Sequence, residues 1–420
     1  MKKRSYVCSL LLFAVLLCVP IISASAHAEK LDKMNWSARN HEVLNQLISD
    51  YGKDGKSYDL ARKPYAVLDW DQTCAHFDVE EATMRYQLVN LRYKMTKDQF
   101  KGLLKDEING IKQLSADYNN ILLKDINEDL INDYNFLYDN FVGLGGGMGL
   151  EDIQKTPQYN DFLSKLPFLY DGYCDTKGID AVYGYPWVLY LLAGHTIDEV
   201  KVLAKETIAF ELGNKLSKQK WVTPADFQTK AGAVSYSYKT GLRVYPEMQD
   251  LISTLEANGI DVFVVSASYK PVVEVFSGID NFGYNVPVER VIAMELASTP
   301  DGKILPEYKS GWVQTQRQGK VDAINIKIKK ELKKDWDPIF SAADSDGDYE
   351  MSTAFPGMKL TLIWNRVKGG DIGKISKQAV EEKDAKNPRF ILQGRNENTG
   401  MVTPCSESIL IGKTEAKLLK

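Results

Sequence analysis

The chain has 420 residues, 44% of them hydrophobic, and a formal net charge of −4 at pH 7. The hydrophobic fraction is ordinary for a globular protein, and the length favours two domains or one core with a large insertion. An acidic chain lacks the positive surface that binds a phosphate backbone, which excludes nucleic acid as the expected partner.

The N-terminus has the pattern of a secretory signal peptide. Three basic residues at 2–4 precede an apolar run over about 7–22, and small residues in A-x-A spacing follow at 24–28. The run is shorter than the roughly 20 residues of a spanning helix, although an uncleaved anchor is the alternative. We therefore predict a signal peptide over 1–28 and a secreted or periplasmic protein, free of the membrane after cleavage, whose charge without the three basic residues is −7.

Cleavage would leave the three cysteines Cys74, Cys174 and Cys405. Three cysteines in a chain of this length do not make a disulfide framework. They allow at most one bridge, with one thiol left over.

The first predicted helix spans residues 35–50, where Ser37 is a suitable N-cap and apolar residues recur on one face. After a polar turn, the short apolar run 65–68 ends directly at Asp69. This run predicts a buried strand with a carboxylate at its carboxyl end.

Residues 79–240 are predicted to form a mainly helical insertion. Helical apolar spacing covers 78–95 and again 97–114. The glycine-rich stretch 143–150 does not match a phosphate-binding loop, because it fits G-x-G-x-x-G in no register and no Lys-Ser or Lys-Thr pair follows it.

After residue 240, apolar strands alternate with amphipathic helices. Helices are predicted before Gly259 and over 319–334, and strands over 261–268, 288–294, 337–346 and 358–366. This alternation predicts an α/β fold with a doubly wound, mostly parallel sheet.

Polar side chains stand where these strands end or where a helix begins. They are Asp69, Asp71 and Thr73, then Ser266, then Lys320, and finally Asp344 and Asp348. Open α/β sheets bind their ligands at the carboxyl ends of the strands. Two carboxylates, hydroxyls, an ammonium and a second carboxylate cluster are what phosphoryl transfer through an aspartyl phosphate requires.

The four motifs LDWDQT, FVVSAS, GKVDAI and ADSDGD occur in this order, and together they resemble the haloacid dehalogenase (HAD) superfamily. The resemblance implies a HAD-like Rossmannoid core in which Asp69 is the nucleophile and Asp71 the general acid and base. It also implies that Thr73, Ser266 and Lys320 bind phosphate.

The metal implied by the same resemblance is Mg²⁺. Its ligands would be Asp69, Asp71 through its backbone carbonyl, and Asp344, with Asp348 as a further ligand or as a carboxylate that supports the ligands. The superfamily usually has glycine before the fourth-motif aspartate, whereas this chain has Ala343. Alanine is the smallest replacement, so we expect the site to persist with a less certain position for Asp344.

The resemblance implies that the insertion is a cap, with the core at 29–78 and 241–420 and the cap at 79–240. A decorative insertion is the alternative. The exported phosphorylcholine phosphatases resemble the chain more narrowly, in segments such as Asn35-Trp36, the box 185–188 and Trp364–Arg366. A quaternary ammonium favours aromatic faces and a carboxylate. The pocket candidates are Trp70, Phe77, Glu80, Glu81, Tyr183, Tyr185 and Trp187.

The sequence thus predicts an exported, Mg²⁺-dependent phosphomonoesterase that acts on phosphocholine or a related amine phosphate. A less selective phosphatase, of the acid or phosphoserine type, is one alternative, and a non-catalytic exported binding protein on the same fold is another. A calcium loop at 344–355 is disfavoured, because Tyr349 and Phe355 stand where an EF-hand needs glycine and glutamate.

Overall fold

The structure is a computed structural model that describes residues 29–419, so the predicted signal peptide at 1–28 lies outside the described residues. The helices are α1 Ala38–Tyr51, α2 Val79–Val89, α3 Lys97–Leu103, α4 Leu123–Asn140, α5 Leu150–Ile153, α6 Pro157–Asp175, α7 Ala181–Tyr190, α8 Ile197–Gly213, α9 Pro246–Ala257, α10 Lys270–Ser277, α11 Gln318–Ile324, α12 Tyr349–Thr353 and α13 Gly370–Glu381. Within 29–419, no helix is both long and apolar enough to cross a membrane.

The strands are β1 Tyr65–Leu68, β2 Ala75–His76, β3 Ser217–Val222, β4 Ser235–Thr240, β5 Arg243–Val244, β6 Asp261–Tyr269, β7 Val291–Met294, β8 Leu296–Ser298, β9 Ile304–Tyr308, β10 Phe340–Ala343, β11 Leu360–Trp364, β12 Phe390–Gln393, β13 Arg395–Asn396, β14 Met401–Val402, β15 Ser408–Ile409 and β16 Ala416–Lys417.

The central sheet has six parallel strands in the order β12-β11-β10-β1-β6-β7, which confirms the predicted doubly wound α/β core. Leu68 at the end of β1 pairs with Ala342 of β10 on one side and Val264 of β6 on the other. The order therefore changes direction at β1, and the carboxyl ends of β1, β6 and β10 meet at this switch point.

Strand β1 is buried on both faces, as its apolar run predicts. Ala66 and Leu68 belong to the large core cluster, whereas Tyr65 and Val67 pack in a second cluster with the α11 residue Ile324. Because successive strand side chains point to opposite faces, one four-residue strand contributes to both helical layers. This double burial fixes the strand end that carries Asp69.

Helix α1 begins as predicted, because the Ser37 hydroxyl accepts a hydrogen bond from the Asn40 amide at 3.2 Å. The second helical stretch of the insertion is shorter than predicted. Helix α3 ends at Leu103, and a turn follows in which Asn109 and Gly110 both have positive φ. An Asn-Gly pair favours this left-handed backbone, which interrupts the helical pattern.

The inserted segment contains helices α2 to α8, as its apolar spacing indicates, and then the antiparallel hairpin β3–β4, which was not predicted. Two short strands flank the insertion and pair with each other, with Ala75 opposite Val244 and His76 opposite Arg243. The chain thus leaves and re-enters the core through adjacent linkers. After β12, a small sheet in the order β14-β13-β15-β16 packs beside them.

Candidate active site

Asp69 lies immediately after β1 and is 6% exposed. One carboxylate oxygen accepts a hydrogen bond from the Lys320 ammonium at 2.6 Å, and the other accepts from the Thr73 hydroxyl at 2.7 Å. Burial raises the pKa of Asp69 well above its ordinary value, and the carboxylate of Asp348 adds to the rise. Two donors therefore fix the orientation of a carboxylate that stands at the centre of the switch point.

Asp71 turns its carboxylate away from Asp69. One oxygen accepts from the Val79 amide at 2.7 Å and the other from the Ser268 hydroxyl at 2.6 Å. Burial raises the pKa of Asp71 well above its ordinary value, with a further contribution from Asp78. A carboxyl group that holds its proton in this position is suited to general acid catalysis.

The acidic loop after β10 supplies the second pair of carboxylates. Asp348 accepts hydrogen bonds from the backbone amides of Asp344 and Ser345 at 3.1 and 3.2 Å, so the loop folds around its carboxylate. Burial opposes ionisation of Asp344, but Arg366, which forms an ion pair with it, and Lys368 outweigh burial and lower its pKa. Asp344 is therefore held as an anion.

Asp69, Asp344 and Asp348 are buried, and one oxygen from each lies within 4.8 Å of the others. Two cations, Lys320 and Arg366, pair with these three carboxylates, so the group has one carboxylate more than it has cations, and burial raises the pKa of Asp69 and of Asp348. Hard carboxylate oxygens with uncompensated charge fit Mg²⁺. The carboxylate of Asp71 is not part of this group, and its predicted contribution through the backbone carbonyl stays a prediction.

Ser266 and Lys320 both line the cavity next to Asp69, where they were predicted to bind phosphate. Lys320 is 1% exposed and bridges Asp69 and Asp348, with 2.6 Å to each carboxylate. Thr73 does not line this cavity. Its hydroxyl is fully buried and donates to Asp69, so the structure gives it a positioning contact in place of the predicted phosphate contact.

The cavity above these residues has a volume of about 210 Å³. One wall is acidic and consists of Asp78, Glu80 and Glu81, beside the aromatic rings of Tyr170 and Tyr185. Burial raises the pKa of Glu80 to about 8 and that of Asp78 to about 7. Among residues 29–419 Glu80 forms no ion pair, unlike Glu81, which pairs with Arg85 at 3.3 Å. The Glu80 carboxylate accepts only from the Tyr269 amide, at 2.9 Å.

No protein-family model matches the chain. A conserved, functionally unknown protein from Anaerococcus prevotii has a crystal structure with a TM-score of 0.80 to this one. It is 32% identical in sequence, and the match covers 90% of this chain and 98% of that chain. A phosphorylcholine phosphatase from Pseudomonas aeruginosa is 22% identical over 312 residues, which are 73% of this chain and 67% of that protein.

The likeness to a phosphatase coincides with a site in which all four motifs meet at one cavity. Together the likeness and the site support a phosphatase of the haloacid dehalogenase superfamily, a phosphoric monoester hydrolase, as the sequence predicts.

Four of the predicted pocket residues do not reach the cavity of this phosphatase. Trp70 is fully buried and packs edge-to-face on Tyr284, with ring centroids 4.8 Å apart. Trp187 donates to the Leu103 carbonyl at 3.0 Å. Tyr183, like Trp187, packs edge-to-face on Tyr173, with centroids 5.1 Å apart in each pair.

Phe77 is the fourth, and it stacks on His76 with ring centroids 4.1 Å apart. These four rings pack in the protein interior, because a large aromatic side chain buries most of its surface where helices and strands meet. Glu80, Glu81 and Tyr185 are the predicted pocket residues that the structure does bring to the cavity.

Sequence reasoning did not assign Ser268, Arg366, Tyr170 or Asp78 to the site of the phosphatase. Ser268 lies two positions after Ser266 on β6, and side chains two apart share a face of a strand, so its position carried a signal. Arg366 lies two positions after the end of β11, in the same strand-end region that identified Asp69 and Asp71. Tyr170 lies inside α6, where nothing in the helical pattern distinguishes it from core residues.

Proposed function

We propose that this phosphatase hydrolyses a small phosphomonoester whose alcohol carries an ammonium group, with phosphocholine as the favoured substrate, and that the reaction depends on Mg²⁺. The observation that carries the proposal is the acidic wall beside the nucleophile. Within this wall Glu80 is buried with no ion-pair partner among residues 29–419, burial raises its pKa to about 8, and a cationic ligand would stabilise its charged form.

In the first step, an oxygen of Asp69 attacks phosphorus and the bond between phosphorus and the leaving oxygen breaks. Lys320 and Thr73 hold the Asp69 carboxylate in one orientation, so the attacking oxygen does not have to be ordered during the reaction. Asp71 gives its proton to the leaving alkoxide. The product of this step is an aspartyl phosphate and a free amino alcohol.

In the second step, Asp71 takes a proton from water as the water attacks phosphorus, and Asp69 is released as a carboxylate. Ser268 keeps Asp71 in the same place for both steps through its hydrogen bond of 2.6 Å. When bound by Asp69, Asp344 and Asp348, Mg²⁺ would supply positive charge for the phosphoryl oxygens. Ser266 and Lys320, which line the cavity beside Asp69, would bind the remaining oxygens.

The residues 79–240 are proposed to act as a cap. Helix α2 brings Glu80 and Glu81 to the cavity, α6 brings Tyr170 and α7 brings Tyr185. A cap that forms one wall excludes water and sets specificity for the leaving group. The phosphate half of the site therefore comes from the core, and the half that selects the alcohol comes from the insertion.

A panel of phosphomonoesters tests the proposed function directly. With Mg²⁺ present, we expect kcat/KM for phosphocholine to exceed that for its neutral isostere, 3,3-dimethylbutyl phosphate, by about tenfold or more, because the isostere keeps the shape and loses the charge. Phosphoserine and p-nitrophenyl phosphate complete the panel. Equal kcat/KM values for phosphocholine and the isostere would contradict a cation-selective wall. Full activity after the removal of Mg²⁺ by a chelator would contradict the proposed dependence on Mg²⁺.

The pKa of Glu80 predicts how this preference varies with pH. Since the pKa is raised to about 8, Glu80 is neutral at pH 6 and becomes charged as the pH rises through 8. The ratio of kcat/KM for phosphocholine to that for the isostere should therefore rise by about tenfold between pH 6 and 8.5. The ratio cancels the pH dependence of the chemical step, which both esters share.

The variant Glu80→Gln should flatten this rise, because glutamine keeps the shape but cannot ionise. Asp78 and Glu81 line the same wall, and Asp78 titrates near 7, so a residual rise centred near pH 7 is assigned to Asp78. An unchanged rise near pH 8 in the variant would exclude Glu80 as the group responsible.

Export is the remaining part of the proposal, and it rests on residues 1–28. Expression of the full chain should yield a product that begins after the A-x-A spacing and is recovered outside the cytoplasm. N-terminal sequencing of the recovered protein gives the cleavage point. Recovery of the uncleaved chain in the membrane fraction would favour the anchor.

A further inference from the structure

The turn that directly follows Asp71, the second of the two catalytic aspartates, is held from outside the central sheet. Gln72 lies between Asp71 and Thr73 with φ of +64°, a left-handed conformation that side chains other than glycine rarely adopt. Arg395 of β13 donates to the Gln72 backbone carbonyl and to its side-chain oxygen, at 2.6 Å in each case. Because one guanidinium binds both acceptors and is fully buried, it fixes the turn in this unusual conformation.

The same guanidinium is linked to the insertion. Arg395 pairs with Glu397 at 3.1 Å, and the other oxygen of Glu397 accepts from the Lys239 ammonium at 3.1 Å. Lys239 belongs to β4, the second strand of the hairpin, and its ammonium lies 4.9 Å from the centroid of the Phe77 ring. The chain of contacts thus runs from the catalytic turn, through the C-terminal sheet, to the hairpin.

The C-terminal sheet also contacts both linkers between core and insertion. Arg395 reaches the Tyr245 hydroxyl at 3.4 Å, and this hydroxyl lies 2.6 Å from Nδ1 of His76 in the first linker. At the second linker, Gly400 packs so closely that an added Cβ would stand 2.6 Å from Cγ of Arg243. A side chain at position 400 would displace that linker.

We propose that Arg395 is a positioning residue of the phosphatase. It fixes the Gln72 turn, and thereby the relative placement of Asp69 and Asp71, and it ties this turn through Glu397 and Lys239 to the hairpin β3–β4. The proposal rests on the roles proposed for Asp69 and Asp71. In the competing interpretation, Arg395 only stabilises the fold, and folded molecules of a variant would keep the parental kcat.

The first test is Arg395→Lys in the full-length protein, with p-nitrophenyl phosphate and saturating Mg²⁺. Lysine keeps the charge but cannot donate in a fork to two acceptors. After correction for the folded fraction by circular dichroism, kcat should fall by about tenfold or more while KM changes by less than about threefold. A corrected kcat within about twofold of the parent would overturn the proposal.

Arg290→Lys is the matched control. Arg290 is a guanidinium that is less buried than Arg395, with a side chain 22% exposed, and it pairs with Glu256 and, at 3.1 Å, with Asp261. It directly precedes β7 and lies beside the amino end of β6, away from the cavity. This variant should lose stability and keep kcat. An equal loss of corrected kcat in both variants would mean that any buried ion pair produces the effect, and would overturn the proposal.

A double-mutant cycle with Gln72→Gly separates action through the turn from a general effect. Glycine adopts the positive φ freely and removes one of the two acceptors of Arg395. If Arg395 acts through Gln72, the loss of kcat in the double variant is clearly smaller than the product of the two single losses. Multiplicative losses would overturn the proposal.

If Arg395→Lys does not fold, Glu397→Gln takes its place, since it retains the volume and an acceptor for Arg395 but removes the charge. The same criteria for kcat then apply. If the parent protein shows no phosphatase activity, the proposed function is contradicted. If the parent is active and Glu397→Gln keeps the parental kcat, only the positioning role is contradicted.

Discussion

Asp69→Asn should abolish turnover while the protein remains folded. The amide cannot attack phosphorus, so we expect kcat to fall by about 10⁴-fold or more on any substrate that the parent accepts. Asparagine has nearly the volume of aspartate and can still accept a hydrogen bond from Lys320 or Thr73. The measurement is steady-state kinetics with phosphocholine and p-nitrophenyl phosphate, together with a thermal unfolding curve.

The stability of this variant has a predicted direction. Because burial raises the pKa of Asp69, the charged carboxylate costs folding free energy at neutral pH, and its removal should leave Tm in metal-free buffer equal to or above that of the parent. Asp346→Asn is the matched control: Asp346 lies in the same acidic loop, and its carboxylate accepts from the Ile372 amide at 2.8 Å. The control should keep activity within about threefold. If Asp69→Asn keeps activity within tenfold of the parent, Asp69 is not the nucleophile.

Lys320→Met should impair both folding and turnover. The ammonium is the only side-chain cation within 4.0 Å of Asp69 and Asp348 among residues 29–419. Burial alone would lower the pKa of Lys320, but Asp348 and Asp69 raise it, so the lysine is charged and binds both carboxylates. Removal of one partner from a buried charge cluster costs about 3–5 kcal/mol of unfolding free energy.

Mg²⁺ distinguishes this cost from a general packing defect. A divalent cation among Asp69, Asp344 and Asp348 would replace the lost positive charge, so Mg²⁺ should raise the Tm of Lys320→Met by more than it raises the Tm of the parent. Activity should stay at least about 100-fold below the parent even at saturating metal, because the phosphate loses a donor. If Mg²⁺ shifts Tm equally in the two proteins, the metal and Lys320 do not bind the same carboxylates.

The half of the site that is proposed to bind phosphate could be predicted from the sequence, because strand ends are a local signal. Asp69, Ser266 and Asp344 each follow or end an apolar run, and parallel strands bring such positions to one edge. Arg366 carries the same signal after β11. The hairpin β3–β4 also carried a local signal, since β4 alternates Ser and Tyr over 235–238, and its Tyr236 stands opposite Trp221 of β3.

Side-chain direction in the insertion could not be read in this way. Trp187 and Tyr185 stand two positions apart on α7, yet Trp187 packs in the core and Tyr185 lines the cavity, because the face that a helix buries depends on its partners. The role of Arg395 could not be predicted either, because its partner is distant in the sequence. It binds Gln72 across 323 positions, and no motif or period connects the two residues before the fold does.

The position of β1 in the sheet also bears on how the protein is made. Its neighbours are β6, which begins at Asp261, and β10, which begins at Phe340, so the strand that ends at Asp69 has no partner until most of the chain has been synthesised. Such non-local pairing is slow, because long loops must close before any contact forms. A nascent chain of this kind stays unfolded for longer than a helical bundle would, and the proposed export would require an unfolded chain of this kind during translocation.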